Sequence, residues 1–203
     1  MPFIRPYRPA DRAAVGDICV RTADGGGDSR SLYPDLDLMP SIFAWPYVEL
    51  EPELAFVLDD DAGRAVGYVL GCADTPRFAK RFRDEWLPTV VSRYPEGHEA
   101  GTPSGFMVSL LHDPERMVVP ELADYPAHLH IDLLPEYQRA GWGRALIDTL
   151  FTALAAGGVD AIHLCMVSAN TEARAFYDRL GFREIAVPNA VVVTYLGRST
   201  QLD

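Results

Sequence analysis

The segment Gln138–Arg144 (QRAGWGR) constrains this chain most, because it joins a strand to a helix through two glycines. Residues 128–134 alternate polar and apolar side chains at period two, as a strand does, and Pro135 ends that pattern. Apolar residues at helical spacing then begin near Trp142. Glycine lets the backbone approach a ligand, and a helix start offers unpaired N–H groups at its positive dipole end. The junction therefore predicts a binding site for a phosphorylated cofactor.

The composition describes an ordinary globular protein with an acidic surface. The chain has 203 residues, 48% of them hydrophobic, a formal net charge of −11 and a pI of about 4.8. This length predicts one domain, residues 1–203, with a proper core. The negative charge argues against binding to nucleic acid or anionic membranes and is compatible with cationic substrates.

The cysteines and the N-terminus bear on the compartment. Cys19, Cys72 and Cys165 are far apart, and there is no CxxC or Cys/His cluster, which argues against disulfides or structural zinc. Cys165 lies between apolar residues of a predicted inner strand, so we interpret it as a packing residue. With neither a signal-peptide pattern nor an apolar run long enough to cross a membrane, we expect a cytoplasmic protein.

Hydrophobic patterning outlines the elements around the junction. A first strand near Ile4 is followed by a helix with Asp11 as its cap, and residues 54–58 and 65–71 read as a hairpin. Its turn contains three aspartates, which we interpret as solvated rather than metal-binding. A helix is predicted over 76–91.

The second half of the chain alternates strands and helices. The helix after the junction, a strand over 161–167, a short helix capped by Asn170 and a last strand over 191–196 predict a mixed α/β sheet. The segment 76–125 between two neighbouring strands exceeds ordinary loop length. We expect it to be an insertion that shapes a substrate site, although such a segment can also be ornament.

A second motif follows the glycine turn. The spacing of that turn does not fit G-x-G-x-x-G, and the next strand lacks the acidic end of a dinucleotide-binding unit. The second motif consists of Asn170-x-x-Ala173-x-x-x-Tyr177-x-x-Leu180-Gly181-Phe182. Together the two blocks resemble the central motifs of the GCN5-related N-acetyltransferase (GNAT) superfamily.

The resemblance implies a GNAT fold: a mixed, mostly antiparallel twisted sheet flanked by helices, with the large insertion before the strand that binds acetyl-CoA. In that family the glycine turn cradles the pyrophosphate of acetyl-CoA, and no metal is needed. Carried onto this sequence, the residues expected to bind acetyl-CoA are Leu133, Leu134, Gln138, Arg139, Ala140, Gly141, Trp142, Gly143, Arg144, Asn170, Ala173 and Tyr177.

A narrower resemblance covers other parts of the chain. Residues 33–36, 56–60, 67–71, 125–132 and 196–199 look like the acetyltransferase-like C-terminal domain of eukaryotic O-GlcNAcases. Because no glycoside hydrolase part is present, we expect a stand-alone relative. This resemblance supports the fold more strongly than the activity.

Amine acetylation needs a base, an oxyanion donor and an acid for the leaving sulfur. The resemblance assigns the oxyanion donor to the N–H of Leu133 and the acid to Tyr177. His128, His130 and Asp132 share one strand face, so Asp132 or His130 is the candidate base. The same His-x-His-x-Asp run also resembles metal ligands, but no further ligand cluster accompanies it.

Two functions follow from these motifs. The first is an acetyl-CoA-dependent N-acetyltransferase that moves the acetyl group directly to an amine, either a lysine of a basic peptide or a small amine. The alternative is a non-catalytic module that binds acyl-CoA or a partner protein. The acceptor cannot be read from the motifs, and the chain is expected to be a monomer or homodimer.

Overall fold

The computed structural model describes residues 1–202, and its centre is a sheet of seven strands in the order β1-β2-β3-β4-β5-β7-β6. All neighbouring strands are antiparallel except β4 and β5, which are parallel. The strands are β1 (Phe3–Pro6), β2 (Ala55–Asp59), β3 (Ala65–Cys72), β4 (Ala127–Leu133), β5 (Ala161–Val167), β6 (Arg183–Ile185) and β7 (Val193–Ser199). This open mixed sheet confirms the fold class expected from the sequence.

Helices cover both faces of the sheet. Helices α1 and α3 pack on β3 and α1 also packs on β4, whereas α7 packs on the opposite face of the same strands. The helices are α1 (Arg12–Thr22), α2 (Leu38–Phe43), α3 (Trp45–Leu50), α4 (Thr75–Arg81), α5 (Leu87–Val90), α6 (Pro103–His112), α7 (Trp142–Ala156) and α8 (Thr171–Arg179). Among residues 1–202, no helix combines the length and apolar character that crossing a membrane requires.

Local sequence explains where the helices near the junction begin. Gly141, at the N-terminal end of α7, has φ of 87°, a conformation that glycine adopts without a steric penalty. Asn170 caps α8 as predicted, because its Oδ1 accepts a hydrogen bond from the N–H of Ala173 at 3.0 Å. Gly181, with φ of 83°, follows that helix.

The long segment between β3 and β4 is part of the core. The helix predicted over 76–91 exists as α4, a π-helical turn Phe82–Trp86 and α5. Phe78 and Phe82 on these turns and Leu111 on α6 are fully buried in the main hydrophobic cluster. Removal of the segment would therefore expose the core, so it is not a detachable ornament.

Three expectations about the elements are corrected. The last strand is Val193–Ser199 rather than 191–196, and the three-residue strand β6 was not predicted because it is too short to show a pattern. Asp11 precedes α1, but its carboxylate binds the Arg5 guanidinium instead of capping the helix. Asp59, expected in a solvated turn, is also buried against Arg5.

The Arg5 guanidinium therefore ties together three parts of the chain. It donates to Asp11 Oδ1 at 2.8 Å and to Asp59 Oδ2 at 2.8 Å, and all three side chains are buried. The hydrogen bonds and charge of Arg5 lower the pKa of both carboxyl groups, against the opposing effect of burial. This ion pair joins β1 to the start of α1 and to the end of β2.

We predict that Arg5→Ala lowers the free energy of unfolding by about 3–5 kcal/mol, because it leaves two buried carboxylates without their partner. Urea denaturation measures the change. Lys80→Ala, which removes an exposed ion pair with Asp84, is the matched control and should leave the midpoint unchanged. Equal effects of the two substitutions would contradict this interpretation.

Candidate active site

A gap opens in the sheet between β4 and β5. The two strands are seven residues long, yet they pair only at Ala127–Ile162 and His128–His163. Beyond these positions β4 has no hydrogen-bonded strand on the side of β5. The edge of β4 that faces β5 is therefore available to a ligand.

The backbone of Leu133 faces this gap. The N–H of Leu134 donates to the carbonyl of Val66 on β3 at 3.0 Å. Because backbone groups alternate in direction along a strand, the N–H and C=O of Leu133 point away from β3. The carbonyl accepts from Gln138 Nε2 at 2.8 Å, which leaves the N–H free. This N–H is therefore available to a ligand in the gap.

The glycine turn lies beside the gap and presents unused donors. Arg139 and Gly141 have left-handed backbone conformations, with φ of 60° and 87°, whereas Ala140 between them does not. Among residues 1–202, no acceptor pairs with the N–H groups of Trp142, Gly143 and Arg144. Free N–H groups at the start of a fifteen-residue helix form a site for an anion.

Gly143 allows the turn to pack closely against α8. A Cβ at this position would lie 3.0 Å from the Cζ atom of Phe176, which is tighter than ordinary van der Waals contact. A larger residue would push α8 away from the first turn of α7. The glycine therefore sets the spacing between the two motifs that were identified from the sequence.

The other predicted cofactor residues differ in what they can offer. Leu134 is buried, and both its N–H and its C=O are bonded within the protein, so it has no free backbone group for a ligand. Arg139 is exposed and forms an ion pair with Glu172, and Arg144 donates to the carbonyl of Arg179 at 3.1 Å. Asn170, besides capping α8, donates to the carbonyl of Gly25 at 3.1 Å. The exposed remainder of the turn, including Ala140, lines its outer side.

Asp132 lies on the face of β4 that is covered by α1. Its Oδ2 accepts a hydrogen bond from the Tyr68 hydroxyl at 2.5 Å. Burial raises the pKa of Asp132 to about 6, although the hydrogen bond from Tyr68 acts in the opposite direction. A carboxylate with such a pKa is mostly ionised at pH 7 and is still basic enough to accept a proton.

The two histidines of β4 share one partner, the hydroxyl of Tyr47 on α3. This hydroxyl lies 2.7 Å from His128 Nε2 and 3.1 Å from His130 Nε2. Burial lowers the pKa of His130 to about 4 and lowers that of His128 well below its usual value, and nearby positive charges add to both effects. Both imidazoles are therefore neutral at pH 7.

Tyr177 extends from α8 toward the same region. Burial is the main cause of its raised pKa, and the negative charge of Asp132 raises it further, so the two groups interact. Its ring packs against Phe176 and Phe182, with centroid distances of 5.2 and 5.5 Å. The hydroxyl therefore stays protonated at neutral pH and can act as a hydrogen-bond donor.

Three proton-handling atoms in this region are accessible to solvent. Within residues 1–202, every side-chain nitrogen or oxygen that is sealed from solvent has a hydrogen-bond partner. Asp132 Oδ1, His130 Nδ1 and the Tyr177 hydroxyl have no such partner in the described chain. They are therefore open to solvent. The arrangement can accept a proton and donate a hydrogen bond to a bound molecule.

The sequence did not indicate two of the side chains that support this site. Tyr47 and Tyr68 belong to earlier elements, and no spacing rule links them to β4. The stretch around Tyr47 is rich in proline and aromatic residues, but this composition does not indicate a contact with β4. The interpretation of Cys165 as a packing residue was wrong, because its side chain is exposed on the face of β5 that continues from His163.

Comparison with known proteins agrees with this architecture. Residues 27–182 match the family described as Acetyltransferase (GNAT) family. The mouse protein O-GlcNAcase is 30% identical over 205 aligned residues, which cover 97% of this chain but only 22% of that protein. The chain therefore spans about a fifth of the length of this relative.

Two solved structures show the same fold. The crystal structure of SsHAT is 65% identical, covers 99% of each chain and has a TM-score of 0.95. A phosphinothricin acetyltransferase from Sinorhizobium meliloti, solved in complex with AcCoA, has a TM-score of 0.57 at 16% identity, covers 98% of this chain and 88% of that one, and supports the fold alone.

The chain belongs to the acetyltransferase (GNAT) family. This family is one of acetyltransferases, and the resemblance of the chain to O-GlcNAcases is also confirmed.

We predict that Tyr68→Phe raises the pKa of Asp132 above its value of about 6, because the hydroxyl hydrogen-bonds to the ionised form. A hydrogen bond to a charged group corresponds to roughly one pH unit. Carbon-13 NMR titration of the aspartate carboxyls measures the shift. Tyr7→Phe, far from Asp132, is the control, and an unchanged Asp132 titration in Tyr68→Phe would refute the assignment.

Proposed function

We propose that this enzyme transfers an acetyl group from acetyl-CoA directly to an amine. The observation that carries the proposal is the gap between β4 and β5, which has free anion-binding N–H groups at one end and solvent-open Asp132, His130 and Tyr177 beside it. Acetyl transfer requires a phosphate cradle and proton-handling groups next to each other.

The donor would be held by backbone rather than by deep side-chain pockets. The N–H groups of Trp142, Gly143 and Arg144 suit the pyrophosphate, since they are unpaired and lie at the positive end of α7. The free edge of β4 suits an extended arm that adds to the sheet as another strand would. Arg139 is exposed and carries a positive charge near the same turn.

Among the candidate bases, Asp132 is favoured over His130. The pKa of Asp132 is about 6, close to neutral pH, whereas the pKa of His130 is about 4 and makes it a weaker base. In the proposed step the nitrogen of the neutral amine, already deprotonated by water, bonds to the acetyl carbon and gives one proton to Asp132. The carbon–sulfur bond breaks, and the sulfur leaves as a thiolate that water then protonates.

Leu133 and Tyr177 would stabilise charge during this step. The N–H of Leu133 points into the gap, where it can donate to the acetyl oxygen as negative charge develops. The raised pKa of Tyr177 makes complete proton transfer to a thiolate unfavourable. We therefore assign its hydroxyl the role of a hydrogen-bond donor to the departing sulfur.

The proposed acceptor is a lysine of a basic peptide or a small amine. The formal net charge of −11 attracts cations, and an amine is a cation until it is deprotonated for attack. Thr75 and Phe78 of α4 contact His128 on the polar face of β4, so we propose that the segment between β3 and β4 contributes to acceptor selection. The cytoplasmic location and the monomeric or dimeric state stay predictions.

Gly141→Ala should weaken acetyl-CoA binding about tenfold, because a side chain at φ of 87° strains the turn by roughly 1–2 kcal/mol. Calorimetry with acetyl-CoA measures the dissociation constant. Gly63→Ala is the matched control: its φ is 86°, but it lies in the β2–β3 hairpin. It should cost stability without changing affinity, and equal affinities in both variants would contradict the proposed cradle.

Asp132→Asn should lower kcat about 10²–10³-fold while acetyl-CoA affinity is kept, because the base is removed and the shape is preserved. A free-thiol assay with an amine and peptide panel measures turnover. Asp148→Asn, on α7, is the control. Unchanged turnover in Asp132→Asn would exclude Asp132 as the base.

The same residue predicts a pH profile. The deprotonated carboxylate is the active form, so kcat/KM should fall as the pH drops through about 6 and level off above it. A weakly basic arylamine acceptor, which stays neutral over this range, isolates the enzyme group. A profile that is flat from pH 5 to pH 7 would contradict this assignment.

A further inference from the structure

A chain of buried hydrogen bonds runs from a peptide carbonyl to the open end of the site. The Thr75 hydroxyl lies 2.8 Å from the carbonyl oxygen of Pro126 and 2.8 Å from His128 Nδ1. His128 Nε2 lies 2.7 Å from the Tyr47 hydroxyl, which lies 3.1 Å from His130 Nε2. Tyr47 and Thr75 are buried, and His128 is buried with them.

The carbonyl of Pro126, at one end of this series, determines the direction of every hydrogen bond in it. A carbonyl oxygen only accepts, so the single Thr75 proton goes to Pro126. The Thr75 oxygen must then accept, and His128 carries its proton on Nδ1. Cys72 Sγ, 3.0 Å from the same nitrogen, can share that proton. A proton on Cys72 alone would leave two acceptors facing each other at 2.8 Å.

The direction continues to His130. With its proton on Nδ1, His128 accepts at Nε2, and the Tyr47 hydroxyl donates to it. Met117 Sδ, at 4.0 Å from that hydroxyl, is too distant to compete. The Tyr47 oxygen then accepts from His130 Nε2, which places the proton of neutral His130 on Nε2. The lone pair of His130 therefore lies on Nδ1, the nitrogen that is open to water.

We infer that this series of hydrogen bonds holds His130 in the Nε2–H tautomer. The Nδ1 atom of His130 then accepts a hydrogen bond from the substrate amine and positions that amine beside Asp132. Tyr47, His128 and Thr75 are positioning residues. The inference rests on the proposed function for the identity of the ligand. It does not rest on that function for the tautomer.

This series of hydrogen bonds orients the His130 imidazole and does not conduct protons. It ends on the carbonyl of Pro126, which cannot take up a proton, and the raised pKa of the buried Tyr47 hydroxyl keeps it protonated. His130 and Asp132 are two residues apart on one face of β4, about 7 Å along the strand. An amine between them can donate one hydrogen to Nδ1 while Asp132 accepts the other proton.

Nitrogen-15 NMR of the histidine side chains tests the tautomers without any turnover. The unmodified full-length protein at pH 7 should show the His128 proton on Nδ1 and the His130 proton on Nε2. Tyr47→Phe should release His130 into a mixture of both tautomers and leave His128 unchanged. Tyr7→Phe, which lies outside this series of hydrogen bonds, should change neither tautomer. A His130 proton on Nδ1 in the unmodified protein would overturn the inference.

Two further variants test the Thr75 end of this series of hydrogen bonds. Thr75→Val removes the hydroxyl and should release both imidazoles from their single tautomers, whereas Thr75→Ser keeps the hydroxyl and should preserve them. Thermal melts confirm that the variants are folded. Single tautomers that persist in Thr75→Val would show that the carbonyl of Pro126 does not set the direction, and would also overturn the inference.

A capped lysine peptide, added in the presence of CoA, tests the positioning role. It should shift the resonance of His130 Nδ1 and leave His128 unchanged. In steady-state assays Tyr47→Phe should raise KM for the peptide about tenfold, with KM for acetyl-CoA unchanged. An unmoved Nδ1 resonance overturns the positioning role. Absence of thiol release with every amine would instead refute the proposed function.

Discussion

The interruption of pairing between β4 and β5 is the feature on which the site depends. Parallel strands that stayed paired would use the backbone of Leu133 inside the sheet, and the first turn of α7 would close over a continuous surface. Because pairing stops after His128, a strand edge and a helix start face the same space. Backbone donors are thereby exposed in the middle of a protein whose other strands are paired.

The polar face of β4 shows how a basic group can be kept beside this gap. Asp132 and His130 are covered by helices from the first half of the chain, and burial moves their pKa values in opposite directions, to about 6 and about 4. One group remains a usable base and the other remains neutral. Because Tyr47 and Tyr68 supply the hydrogen bonds on this face, the first half of the chain organises residues of the second half.

Much of this architecture could be predicted from the sequence, and the limits have physical causes. The strand at 128–134, the helix at Trp142 and the Asn170 cap have local signatures, and the structure has all three. Tyr47 could not be linked to β4, because the contact joins residues 81 positions apart. Cys165 was misjudged because its apolar neighbours face the core while its own side chain faces out. The roles of the predicted site residues stay predictions.

Hydrogen exchange of the backbone amides with and without acetyl-CoA tests the central claim most directly. The claim is that the free edge of β4 and the start of α7 together bind the donor. Acetyl-CoA should then slow exchange at Leu133 and at residues 142–144, with no change in the β1–β2 pair at the far edge of the sheet. No protection in these segments, or protection confined to other parts of the chain, would contradict the claim.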